Sequence, residues 1–389
     1  MNPGPRTVFF VAGEVSGDIQ ASAVIRELRR RDPALEIVGV GGPRMAAAGM
    51  TVLVDSSDWG VMGHIAPLLR APEYQRSLRE IAATVSRLRP QVLVLVDFPG
   101  FNLRLAATVG ALLPVLYYFP PMVTVRKGDR ARRVAALGMR LLATLPFEAE
   151  AYRAAGADVV FVGHPAVDTV RPRWDASIRR ERLGLTEGAR VVGLLPGSRN
   201  QEIAFHLPVM ADAAAALARR YPGLEFVLPV AAAHLRPPVD EVLARSALPV
   251  RVTSDVYDAI AESEVLVTAS GSVTLEAAVL AVPMVVVYRL SWLSWQIARA
   301  LVSVRHASLP NLLAGREIIP ELLQDKMTAA NIAAQVERLL DSPARREAMQ
   351  AALRAVCTGL GPPGAIGRAA DEVFRMLGYN EIDSASRDS

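Results

Sequence analysis

The sequence has little lysine and almost no cysteine. Two lysines, Lys127 and Lys326, stand in a chain of 389 residues, so nearly all of its positive charge is arginine. A single cysteine, Cys357, excludes an internal disulfide framework and fits a reducing compartment. Charged residues make up only 21% of the chain against 51% hydrophobic, which excludes a disordered protein. The longest apolar run, 281–304, is broken by Arg289 and Arg299 and does not read as a membrane span. The opening MNPGPRTVFFVAG is too short and polar before Glu14 to read as a signal peptide. Net charge is only +4 and no nucleic-acid-binding motif is present, so no nucleic-acid partner is expected. There is no Asp-x-Asp pair in a suitable loop, and AGEVSGD (12–18) lacks the G-x-G-x-x-G spacing of a dinucleotide fingerprint. No cofactor or metal is expected.

What is present is a repeated alternation of short apolar runs with helical patterns. In the first half the runs are 7–13, 36–42, 91–98, 114–119, 141–147 and 158–164. In the second they are 190–196, 225–230, 248–254, 265–269 and 283–289. Buried strands separated by helices predict parallel sheets covered on both faces. The stretch near 167–180 is polar, Arg-rich and Pro-interrupted, and reads as a hinge. The expected fold class is α/β, with two doubly wound, Rossmann-like domains facing a cleft. The first spans 1–167 and is completed by a C-terminal helix at 364–378; the second spans 180–360. Ligands of such sheets bind where strand ends lead into helix N-termini.

Four strand ends carry chemistry. In AGEVSGD, Gly13 and Gly17 allow a tight turn, Ser16 or Asp18 suits a helix cap, and Glu14 is not explained by capping. In VDFPGFN (96–102), Asp97 ends a buried strand, where a carboxylate suits a general base or a cap for the helix that follows. In LLPGSRNQEI (194–203), the strand stops at a glycine, a hydroxyl and a guanidinium. Backbone N–H groups near Gly197 and Ser198 suit a phosphate, and Arg199 suits the charge of a leaving diphosphate. In TASGSVTLEAA (268–278), Ser270, Gly271 and Ser272 precede a helix with Thr274 and Glu276 expected in its first turn. There Glu276 suits either a ribose diol or a capping partner. Among the histidines, His164 in GHPAVD reads as structural.

With these residues goes a series of longer motifs. AGEVSGD, VGVGGPRM (38–45), VMG (61–63), VDFPGFN, LPFE (145–148), GHP, LLPGSR, SGSVTLE, YR (288–289) and SLPNLLAGREIIPELLQ (308–324) follow one another along nearly the whole chain. In order and spacing the sequence resembles the lipid A disaccharide synthases, glycosyltransferases of the B-type two-domain fold. The resemblance implies an inverting hexosyltransferase. It would join UDP-2,3-diacylglucosamine to 2,3-diacylglucosamine 1-phosphate through a β(1→6) linkage and release UDP, without a metal. It also implies catalytic roles for Asp97, Arg199 and Asn311, and UDP binding by Glu276 and the Ser270–Ser272 loop.

Two segments depart from the family pattern. YYFPPMVTVR (117–126) lacks the tryptophans and serines usual there but keeps Arg126, expected to bind substrate, and HIAPLLR (64–70) lacks a usual glutamate. Both lie on the acceptor side, so a different lipid or glycan acceptor is the first alternative. A UDP-sugar 2-epimerase, which shares the fold, is the second. Acylated substrates imply a cytoplasmic enzyme peripherally bound to the inner membrane. SWLSWQIARALVSV (291–304), HIAPLLRAP and RKGDRARR (126–133) suit contact with its surface.

Overall fold

A computed structural model describes residues 6–57, 59, 71–123, 129–230, 232–246, 248–292, 295–296 and 306–379. The chain divides into two compact units, one of Met1–Asp168 with Leu360–Ser389 and one of Thr169–Gly359.

In the first unit the strands are β1 (Thr7–Ala12), β2 (Glu36–Gly41), β3 (Thr51–Asp55), β4 (Val92–Val96), β5 (Val115–Tyr118), β6 (Arg140–Ala143) and β7 (Val159–Phe161). They form one parallel sheet in the order β3-β2-β1-β4-β5-β6-β7. All five residues of β4 are buried, as expected for a strand covered on both faces. Alternate residues of β1 serve opposite faces. Val8, Phe10 and Ala12 pack with the helix Val15–Arg31 and with Ala369, Ala370 and Val373 of the helix Ala365–Met376. Phe9 and Val11 pack on the other side with Phe101 and Leu105. Two ion pairs fasten the last helix to this unit, Arg31 to Asp371 at 2.5 Å and Arg140 to Glu372 at 2.6 Å.

The second unit repeats the scheme with β8 (Val191–Leu195), β9 (Glu225–Pro229), β10 (Val250–Thr253), β11 (Val265–Ala269), β12 (Met284–Tyr288) and β13 (Glu321–Leu323). Their order is β10-β9-β8-β11-β12-β13, again all parallel.

Neither β3 nor β13 is anticipated by the apolar pattern. Every residue of β3 but Val52 is exposed, so no buried face marks it, and β13 is three residues long at a sheet edge. The consequence of the two strand orders is local. β1 pairs with both β2 and β4, and β8 with both β9 and β11. Strand order reverses at these two points, and helices leave to opposite faces there, which opens a crevice at the carboxyl ends.

Candidate active site

All four motif loops sit at those reversals. Ala12 pairs with Val96, so AGEVSGD and VDFPGFN leave the first sheet side by side. Leu195 pairs with Thr268, which does the same for LLPGSR and TASGSV in the second.

In the first unit Ser16 is exposed, and its hydroxyl donates to Asp97 Oδ2 at 3.0 Å. Neither Ser16 nor Asp18 caps the helix Val15–Arg31. Glu14 occupies the N-cap position, half-buried and in extended conformation, with no side-chain cap bond to the helix. Asp18 is turned the other way: its buried carboxylate accepts from the N–H groups of Gly42, Arg44 and Met45 at 3.0–3.2 Å. The VGVGGPRM loop is thereby fastened to AGEVSGD. Gly17 is buried against Ala12 and the Val96 carbonyl.

Asp97 does not cap the following helix either; Phe98 is the N-cap of Pro99–Val109. Both Asp97 and Phe98 have φ of +50°, a left-handed conformation that is rare for residues other than glycine. Gly13 is what admits it, since a Cβ there would lie 2.1 Å from Phe98 Cδ1.

His164 is structural. It is buried, its Nδ1 accepts from the Ala166 N–H at 3.1 Å, and burial holds its pKa down at about 4. Glu148 of LPFE is buried and accepts from the Val123 N–H at 2.8 Å, which anchors the departing segment. Arg126 and HIAPLLR lie outside the described residues, as does most of 291–304.

In the second unit the anion loop holds an anion of its own. Gly197 has φ of +125°, and Ser198 donates its backbone N–H to Glu202 Oε2 at 2.8 Å. Arg199 is the N-cap residue of the helix Asn200–Arg220 and lies 3.2 Å from Glu202 Oε1. A Cβ on Gly197 would fall 2.2 Å from that carboxylate, so glycine is needed for Glu202 to fold back. The Arg199 guanidinium remains 53% exposed.

Beside it, Ser270 donates its hydroxyl to the Ala307 carbonyl at 2.8 Å, while Gly271 and Ser272 are exposed at the start of the helix Ser272–Val279. Glu276 lies one turn inside that helix rather than in its first turn. Its carboxyl is half-buried, meets no hydrogen-bond partner among the described residues, and is pushed up by burial to about 7.

Asn311, for which the resemblance implies a catalytic role, sits behind the loop in this structure. It is fully buried, donates to the Ile319 carbonyl and to Glu321 at 2.9 and 2.7 Å, and accepts from the N–H groups of Ile318 and Ile319. Both donors and both acceptor sites of the amide are thus occupied in this structure. What it does is shape the loop that receives Ser270.

Two residues escape the sequence reading. Glu321 on β13 accepts from the Ala307 and Ser308 N–H groups, the Ser308 hydroxyl and Asn311, and so holds the neighbour of Ser270 in place. His206 is fully buried between two strand ends: Nδ1 lies 2.7 Å from the Pro196 carbonyl, and the Arg289 N–H donates to Nε2 at 3.1 Å. A ring that donates at Nδ1 and accepts at Nε2 satisfies both contacts. The only sequence signal for either was its place inside or beside a recurring motif.

A family profile described as Lipid-A-disaccharide synthetase matches residues 8–362. That span takes in all four loops. The chain belongs to the lipid-A-disaccharide synthetase family. A family relative from Geobacter sulfurreducens, lipid-A-disaccharide synthase, is 40% identical over 373 residues, covering 95% of this chain and 97% of its own. Likeness to solved structures is one of fold. The UDP-GlcNAc 2-epimerase of Neisseria meningitidis superposes with a TM-score of 0.63 at 14% identity, covering 96% of this chain and 99% of its own. The calicheamicin glycosyltransferase CalG4 gives 0.57 at 19%, covering 97% and 100%. The fold is thus that of the B-type glycosyltransferases and their epimerase relatives, while sequence identity over the whole length lies with the synthases rather than the epimerases.

Proposed function

We propose that this chain is a hexosyltransferase that joins UDP-2,3-diacylglucosamine to 2,3-diacylglucosamine 1-phosphate, forming the β(1→6) disaccharide and releasing UDP. The supporting observation is that the family match runs through all four loops at the two strand-order reversals. On this reading Asp97 takes the proton of the acceptor 6-hydroxyl as its oxygen bonds to the donor's anomeric carbon. The anomeric bond to the diphosphate breaks on the opposite side, and UDP leaves with the electron pair. Ser16 orients the Asp97 carboxylate, with Glu14, Gly17 and Arg126 on the acceptor side. Arg199 and the N–H groups at Gly197 and Ser198 receive the diphosphate, so the contacts of Glu202 must rearrange or be shared when it binds. The Ser270–Gly271–Ser272 loop and Glu276 receive the nucleoside, with the Glu276 carboxyl accepting from the ribose hydroxyls. Asn311 supports that loop from behind.

The test is UDP release and product mass. Purified protein is expected to release UDP from UDP-2,3-diacylglucosamine only when 2,3-diacylglucosamine 1-phosphate is added. Release with other acceptors but not this one points to a different lipid or glycan acceptor. Interconversion of UDP-sugars without release points to an epimerase.

The reading also includes work at a membrane surface, because acyl chains keep the substrates there. Trp292 is 74% exposed, as suits an interfacial anchor. No helix among the described residues is long and apolar enough to cross a membrane. Sedimentation with anionic vesicles tests this, and Trp292→Ser should weaken the binding.

A further inference from the structure

The conformation of Asp97 is held by residues that cannot themselves touch a substrate. Tyr117, with no exposed surface, donates its hydroxyl to the Asp97 main-chain carbonyl at 2.8 Å. Asn102, equally buried, donates its amide to the same carbonyl at 2.7 Å and to that of Val96 at 3.2 Å. The Asp97 N–H is also engaged, donating to the Tyr118 carbonyl at 3.1 Å. Two carbonyl acceptors fix which way the Asn102 amide faces. That leaves its Oδ1 buried without a partner, a cost borne for the sake of the donor side. One carbonyl taking two buried donors, at a residue with φ of +50° followed by another at +50°, is more than a strand end requires.

We propose that Tyr117 and Asn102 are positioning residues for Asp97. They grip its backbone carbonyl and so hold the left-handed conformation that turns the carboxylate to Ser16. The proposal rests on the reading of Asp97 as the base.

The test is Tyr117→Phe, which removes the hydroxyl and keeps the ring, with Asn102→Ala as a second variant and Asp97→Asn as reference. Steady-state rates with both substrates varied, UDP binding by calorimetry and thermal melting are measured on the full chain. Tyr117→Phe is expected to lower kcat about tenfold, one hydrogen bond's worth. Both KM values and the UDP Kd should stay within about twofold, and the melting midpoint should barely move, because Asn102 still binds the carbonyl. Asn102→Ala, if it folds, should show the same split more strongly. Unchanged kcat in Tyr117→Phe while Asp97→Asn is inactive overturns the positioning role alone. So does a fall in kcat matched by losses in UDP affinity and melting. Full activity in Asp97→Asn overturns the base, and positioning with it.

Discussion

The Ser16 hydroxyl donates to Asp97 Oδ2 at 3.0 Å, across 81 residues of sequence. The contact exists because β1 and β4 are neighbours with Ala12 paired to Val96, so the loops after them leave together. A carboxylate offers about four acceptor sites, so the Ser16 bond alone does not exhaust it. Asp97→Asn keeps the shape and removes the basicity. We expect turnover to fall by about 10²- to 10⁴-fold, the usual range for a lost general base. UDP affinity should stay within a few-fold, because the proposed nucleotide contacts are all in the other unit. Paired rate and calorimetric measurements check this. A collapse of UDP binding would make Asp97 structural.

The Arg199 side chain is 53% exposed and, among the described residues, pairs with Glu202 three residues on. Such a pair adds little to stability. Arg199→Ala should therefore melt like the parent but lose about 10- to 100-fold in kcat/KM for the UDP-sugar, the worth of a charge-assisted bond to the diphosphate. Arg199→Lys should recover only part, since a point charge does not reproduce the fork of the guanidinium. Donor-concentration series for the three proteins decide it. Equal losses in melting temperature would show the arginine to be a fold element.

Glu276 carries a pH signature. Burial raises its carboxyl to about 7 from an ordinary 4.5. A raised carboxyl means that the folded protein prefers the neutral form. Stability is therefore lost as pH climbs between those values, and Glu276→Gln should melt higher than the parent at pH 8, the gap closing toward pH 5. Ribose hydroxyls donate best to the charged form. Uridine affinity of the parent should thus rise from pH 6 to pH 8, while that of Glu276→Gln stays level. Uridine is the ligand to use because it has no phosphate to titrate. A rise of the same size in both proteins would remove Glu276 from the nucleoside site.

Asn311→Ala should behave unlike either active-loop variant. It strips acceptors from the Ile318 and Ile319 N–H groups and a donor from Glu321 at the start of β13, behind the Ser270 loop. We expect a loss of about 2–4 kcal/mol in urea unfolding, since buried groups are left unpaired. Activity should fall with that stability. An Asn311→Ala protein of normal stability and no turnover would point instead to the direct catalytic role that the resemblance implies.

The order of strands and helices was legible because parallel strands buried on both faces read as short apolar runs between helical patterns. The four loops were legible because each joins such a run to a glycine and a polar residue, and the motifs along the chain carried the family. β3 and β13 were not, lacking a buried face or sufficient length to leave a trace. Nor were the partners of the loop side chains. That Asp18 reaches Gly42, that Glu202 folds into its own anion loop, and that Asn311 spends its whole amide on Ile318, Ile319 and Glu321 were settled only by the fold. The physical reason is one of range. Apolar periodicity is written in consecutive residues, whereas a side-chain hydrogen bond depends on which strand ends the sheet register brings within 3 Å of each other.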